Sequence, residues 1–214
     1  MKKIFTTLLL SVAIMTLAQE VPTSFPRKFL IEHFTGTWCA YCPYGMMAID
    51  YAVQTSETPY IWVSHHVSDN YSIDEGYSIY NIYASTVPED EAGVPTMMLN
   101  RSQQSQGMGF HPGYLPDMTI TDATTAEASV LIDHTYNPET RQLDITVSGQ
   151  VANTTTTAYL LTVLIKENGI ISSQSDAYFA WGSQWKEFIH PRLSRAFLSA
   201  ATGDRVNVTN QAYS

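Results

Sequence analysis

The stretch HFTGTWCAYCPYG, residues 33–45, decides how this chain folds. It carries both cysteines of the protein, Cys39 and Cys42. Before it, KFLIEHF (28–34) reads as a strand, with Phe29, Ile31 and His33 on one face and Leu30, Glu32 and Phe34 on the other. After it, PYGMMAIDYAVQTSE (43–57) reads as a helix. Pro43 falls in the first turn, where a missing N–H costs nothing. Met46, Met47, Ile49, Ala52 and Val53 form its expected buried face. TGTWC is the loop between the two elements.

A Cys-x-x-Cys at a strand-to-helix junction is suited to thiol–disulfide exchange. That reaction needs an exposed, stabilised thiolate and a second thiol close enough to resolve the mixed disulfide. The unpaired N–H groups and the dipole of a helix N-terminus favour negative charge on sulfur. The spacing puts Cys39 at that terminus as the expected nucleophile and Cys42 one turn in as the resolving thiol. Trp38 packs beside them and limits access. Two other uses of the pair stay open. One is a static crosslink. The other is half of a zinc site, for which His33, His65, His66 and His111 are the only nearby candidates. His65 and His66 are adjacent on an expected strand, point to opposite faces and cannot share an ion. No metal site is expected.

Outward from the motif, PYIWVSHHV (59–67) reads as a second strand and SIDEGYSIYNIYAS (72–85) as a helix or lid. Tyr77, Tyr80 and Tyr83 stand at helical spacing there, as a packed face. EAGVPTMMLNR (91–101) reads as a turn and a third strand, giving a βαβ pattern with a crossover. After residue 102 the chain becomes loop-like. ASVLIDHTY (128–136), QLDITVSGQV (142–151) and AYLLTVLIKE (158–167) then alternate apolar and polar residues as antiparallel strands do. Asn168-Gly169, between Ile165 and Ile170, is a hairpin signal. This half is expected to be a small β-sandwich. It stops without an evident final pair of strands, so an incomplete sandwich is expected, covered by an envelope partner or a second copy.

The first residues read as a secretory signal: Lys2 and Lys3, an apolar run from Ile4 to Leu17, then Ala18. Loss of the two lysines takes the net charge from −9 to −11. That balance excludes nucleic acid and anionic membranes as partners. No later stretch is long and apolar enough for a helical membrane span. The expected organisation is a signal at 1–18, an α/β domain at 19–125 and the β-sandwich at 126–214. There is no P-loop, no GxGxxG and no nucleophile elbow, and no cofactor is expected.

TWCAYC after an apolar strand, with GVPT (93–96) before another, resembles the thioredoxin-like thiol–disulfide oxidoreductases. The resemblance covers roughly residues 25–125. It implies a cis Pro95 lying against the disulfide and a Val94 backbone that pairs with substrate, with Trp38 and Tyr41 as further substrate contacts. It also implies a protein thiol or disulfide as substrate. Where that family often carries a buried acid, six residues before the first cysteine, this chain has His33. His33 and its neighbour Glu32 are the candidate proton relay. EHFTGTWCAYCP, VPTMMLNR, LIKENGII and HPRLSRAFLS together resemble the Omp28-related outer-membrane proteins of Bacteroidetes. That resemblance implies export to the periplasm or cell surface and a thioredoxin-like part followed by a β-sandwich. A surface protein that uses the thioredoxin-like module as a scaffold, with a structural disulfide, is the alternative.

Overall fold

The structure, a computed structural model, describes residues 24–89, 92–101, 108–110, 124–152, 158–177, 183–209 and 211–214. The segment read as a secretory signal lies outside the described residues, as does His111. The described residues are β-rich, with two α-helices among them. Strand β1 is Phe25–Pro26, followed by β2 (Phe29–Thr35), α1 (Cys42–Thr55), β3 (Tyr60–His66), α2 (Asp74–Ala84), β4 (Thr96–Leu99) and β5 (Met108–Phe110). After them come β6 (Thr125–Ala126), β7 (Leu131–Asn137), β8 (Gln142–Gln150), β9 (Leu160–Leu161), β10 (Leu164–Glu167), β11 (Ile170–Asp176), β12 (Ser183–His190), β13 (Leu193–Phe197), β14 (Asp204–Arg205) and β15 (Ala212–Tyr213).

A six-stranded mixed sheet in the order β10-β13-β3-β2-β4-β5 is the core of the molecule. β2 runs parallel to β3 and antiparallel to β4, with His33 opposite Ser64 on one side and Met97 on the other. On one face α1 lays Met46, Ile49 and Ala52 against Phe29, Ile31, Trp62, Met97 and Leu99. The spacing of those three helix residues is the 3–4 period of an amphipathic helix. Met47, expected in the same face, is exposed instead. On the other face Phe34 and Met98 pack against Ile79 and Tyr83 of α2. Tyr83 stacks on Phe34 and Tyr80 meets it edge-on, so two of the three tyrosines form a packed face, while Tyr77 stays exposed.

Two strands from the late half complete this sheet. β13 lies parallel to β3, with Leu193 opposite Ser64, and β10 pairs antiparallel with β13. The sheet therefore runs across the boundary expected at residues 125/126. The cause is physical: β3 is buried from Trp62 to His66, so its outer edge has to be paired. The expected strand 158–167 is divided into β9, paired with β14, and β10. Gly169 takes the positive φ expected there, 78°, but Asn168-Gly169 is no turn: the chain runs on from β10 into β11, passing from one sheet to another rather than closing a hairpin. β11 pairs with β12 instead. β7 and β8 do form the expected antiparallel pair, joined by β15, and β7 is exposed along its whole length.

A fragment ending at residue 125 lacks β13 and leaves the outer edge of β3 unpaired. It is expected to show no cooperative thermal transition, and Leu193→Ala in the full chain should cost about 2–4 kcal/mol. Circular dichroism melts measure both. A fragment melting like the full chain would contradict the shared sheet.

Candidate functional site

β2 ends at Thr35, and the next residues form the loop that carries the cysteines. Gly36 is needed there because a Cβ would lie 2.6 Å from the Trp38 indole nitrogen. That indole N–H donates to the Val67 carbonyl at 3.0 Å, which fixes Trp38 while leaving it 53% exposed. Cys39 N–H donates to Gly36 O and Cys42 N–H to Cys39 O, two successive turns leading into α1. Among the described residues no side chain caps the N-terminus of α1, and no acidic residue lies in its first turn. α1 begins at Cys42 with Tyr41 at the N-cap position, so Cys39, expected at the helix terminus, lies three residues before it, and Cys42, expected one turn in, is its first residue. The partial positive charge of the helix start next to the pair favours negative charge on sulfur.

Cys39 and Cys42 form a disulfide. They are 4% and 0% exposed. The Val94–Pro95 peptide is cis and leads directly into β4. Cys39 Sγ stands 3.6 Å from the Val94 carbonyl oxygen. Tyr41, between the cysteines, is half exposed. The structure thus brings Trp38, Cys39, Cys42, Val94 and Pro95 to one place.

His33 and Glu32 take opposite faces of β2. His33 is buried on the α1 side with its ring edge-on to Trp62. Glu32 is buried on the α2 side. Arg101 Nε and Nη2 donate to its two carboxylate oxygens at 2.6 Å each, and His65 Nε2 lies 3.3 Å away. His65 Nδ1 in turn meets Ser194 Oγ of β13 at 3.0 Å. Burial alone would raise the Glu32 pKa, but the Arg101 and His65 hydrogen bonds and charges outweigh it and hold the carboxyl at about 2. At neutral pH Glu32 is a fixed anion inside an ion pair.

His66 faces the other way from His65, as adjacent strand residues must. Its Nδ1 lies 2.7 Å from Asp69 Oδ2, which also accepts the backbone N–H of Thr37 in the cysteine loop at 2.8 Å. Burial pushes the Asp69 carboxyl up, but His66 and the Thr37 and Tyr71 N–H groups bring it down to about 2. The ring of His190, on β12, lies 5.2 Å from that of His66. Burial first, and the His66 charge second, lower His190 to about 4.

The opposite side of the loop is held by β11, a contact that the sequence does not announce. Ser175 N–H donates to Thr37 O at 2.8 Å and Ala177 N–H to Ala40 O at 3.1 Å. Gln174 Nε2 donates to Gly36 O at 3.1 Å and Cys39 O at 2.8 Å. Tyr44 OH, in the first turn of α1, donates to Asp176 Oδ1 at 3.0 Å. Nothing in SSQSDA (172–177) marks these contacts, and its partners are 132 to 138 residues away in sequence. Asp69 was equally silent. Among the described residues no group of three His, Cys, Asp or Glu side chains is placed to hold a metal, and no helix is long and apolar enough to cross a membrane.

No protein-family model matches this chain, and no curated protein matches it. Among solved structures it resembles HBP35 of Porphyromonas gingivalis, with a TM-score of 0.64 and 20% identity over 89% of this chain and 63% of that one. The likeness establishes a shared fold. The chain spans less than two thirds of the length of that protein. A protein of Agrobacterium tumefaciens is more distant, with a TM-score of 0.38 and 12% identity over 86% and 77% of the two chains.

The pH dependence of stability follows from three groups. His190 binds a proton more readily when unfolded, so stability falls as pH drops from 6.5 to about 4. Glu32 and Asp69 have depressed values, so a second loss follows from about pH 4.5 down to 2. Denaturant titrations across this range should show both stages, and a flat profile between pH 7 and 3 would contradict them. Arg101→Met, which strands a buried carboxylate, is expected to cost about 3–5 kcal/mol at neutral pH, and much less in a Glu32→Gln background.

Proposed function

We propose that this chain is an exported thioredoxin-like protein whose Cys39–Cys42 pair exchanges disulfides with extracytoplasmic proteins. The observation that carries it is the disulfide at the uncapped start of α1, opposite a cis-proline loop whose Val94 carbonyl lies 3.6 Å from Cys39 Sγ. The order β3-β2-β4-β5 supports it, with α1 following β2 and the cis-proline preceding β4. The helix after the β2 loop and the cis-proline before β4 are what the thioredoxin-like resemblance implies. The fold shared with HBP35 of Porphyromonas gingivalis, an organism of the Bacteroidetes, is in keeping with the Omp28-related resemblance. Export to the periplasm or cell surface rests on the sequence of residues 1–18.

In the reducing direction the Cys39 thiolate attacks one sulfur of a substrate disulfide. A Cys39–substrate disulfide forms and the other substrate sulfur leaves as a thiolate. Cys42, deprotonated, then attacks Cys39 Sγ, closing the internal disulfide and releasing the second substrate thiolate. Two electrons pass from the cysteine pair to the substrate, and the same steps reversed oxidise a dithiol. Exposed Trp38 and Tyr41 offer apolar contact on either side, and the Val94 carbonyl offers a hydrogen-bond acceptor to substrate backbone. Glu32 is a poor relay because its charge is committed to Arg101, whereas His33 shares the α1 side with Cys42.

A second reading, a scaffold with a static crosslink, is favoured by one observation: both cysteines are almost wholly buried. Substitution separates the two. Cys42→Ser should accumulate mixed disulfides with protein substrates, and Cys39→Ser should abolish exchange with a model protein disulfide. Turnover by Cys39→Ser equal to that of the unaltered protein would leave only the scaffold.

A further inference from the structure

Exchange needs more than a helix start beside a sulfur. The carbonyl oxygens of the cysteine loop carry partial negative charge, and where they point decides whether the loop favours or opposes a thiolate at Cys39. Two of them, Gly36 O and Cys39 O, close the successive turns that carry Cys39 and Cys42. Both are also met by one side chain from the far half of the chain, the Nε2 group of Gln174, at 3.1 and 2.8 Å.

Gln174 is fully buried, an unusual place for a glutamine. Its amide orientation is dictated by chemistry, because only the NH2 end can meet two carbonyl oxygens. Its position in β11 is also particular. Ser172 pairs with Phe188 but Gln174 with Trp185, a shift of register between β11 and β12 immediately before it. Such irregularities re-aim side chains. Backbone bonds from Ser175 and Ala177 already tie the strand to the loop. The glutamine adds something the backbone does not: a donor that holds the two turn carbonyls toward β11.

We infer that Gln174 is a positioning residue for the Cys39–Cys42 site, holding the Gly36 and Cys39 carbonyl oxygens toward β11 so that neither turns toward a thiolate at Cys39. The role presupposes the exchange chemistry proposed above. It touches neither sulfur nor substrate, and it acts through the loop. It makes the β11–β12 hairpin part of the redox centre, although the hairpin lies more than a hundred residues downstream. Without the amide the two carbonyls lose a buried donor, the turns loosen, and the Cys39 thiolate loses stabilisation. The disulfide then becomes harder to reduce, because a less stable thiolate makes a weaker oxidant.

The test compares the reduced full chain with Gln174→Leu, which removes the donor, and Gln174→Glu, which keeps the shape but presents only acceptors at neutral pH. Ser175→Ala is the control, since Ser175 contributes its backbone N–H. The readouts are the pH profile of Cys39 thiolate absorbance and the rate of Cys39 alkylation by iodoacetamide near neutral pH. Both Gln174 variants are expected to move the thiolate profile to higher pH and to slow alkylation on the order of tenfold, with Ser175→Ala unchanged. A merely structural role would lower the melting temperature without moving the profile. An unshifted profile in a folded Gln174→Leu or Gln174→Glu would overturn the inference while leaving the exchange proposal intact. An ordinary, slow thiol in the unaltered protein would overturn both. Should neither variant fold, the unaltered protein decides: the Gln174 side-chain amide hydrogens should resist solvent exchange in the reduced form, and free exchange would overturn the role.

Discussion

From Ile31 to Thr35, β2 has no access to water on either face. That constraint governs the rest of the fold. A strand buried on both sides needs cover above, below and along both edges, and its polar groups must find partners within the protein. Here α1 covers one face and α2 the other, while β3 and β4 flank it. Glu32 is the most demanding residue, an anion without solvent, and it is met by Arg101 and His65. Because His65 sits on β3 and reaches Ser194 on β13, this network links three neighbouring strands.

The same burial sets up the site. β2 delivers the chain to Gly36 at the end of a rigid sheet, so the cysteine loop begins from a fixed point. Two unrelated segments then hold it. Asp69, ionised and bonded to His66, takes the Thr37 N–H from one side, and β11 takes the Thr37, Ala40, Gly36 and Cys39 carbonyls from the other. Trp38 and Tyr41 remain exposed at the rim. A loop held this firmly can keep its two sulfurs in reach after reduction, as exchange chemistry requires.

Local pattern was enough to find the strand at 28–34, the helix after Cys42, the strand at 59–67 and the β7–β8 pair, because each is written in periodicity over a few residues. The meeting of Cys39 with Val94 and Pro95 was legible only through the thioredoxin-like resemblance that two short motifs carry. What the sequence could not show is recombination over distance. Leu193 beside Ser64, and Gln174 beside Cys39, are pairings of residues that carry no mark of each other. Asn168-Gly169 misled for the same reason. Gly169 takes the positive φ such a pair favours, but β10 and β11 pair with β13 and β12 rather than with each other. Met47 fell outside the core although it follows Met46, since a single residue's step turns a helical side chain by about 100°.

The reduction potential of Cys39–Cys42 tests the redox proposal most directly. The full chain would be equilibrated in glutathione buffers, quenched by alkylation and the two states counted by mass spectrometry. A potential between about −270 and −120 mV is expected of an exchange site with a stabilised thiolate. A potential below about −300 mV would contradict it and leave the pair a structural crosslink.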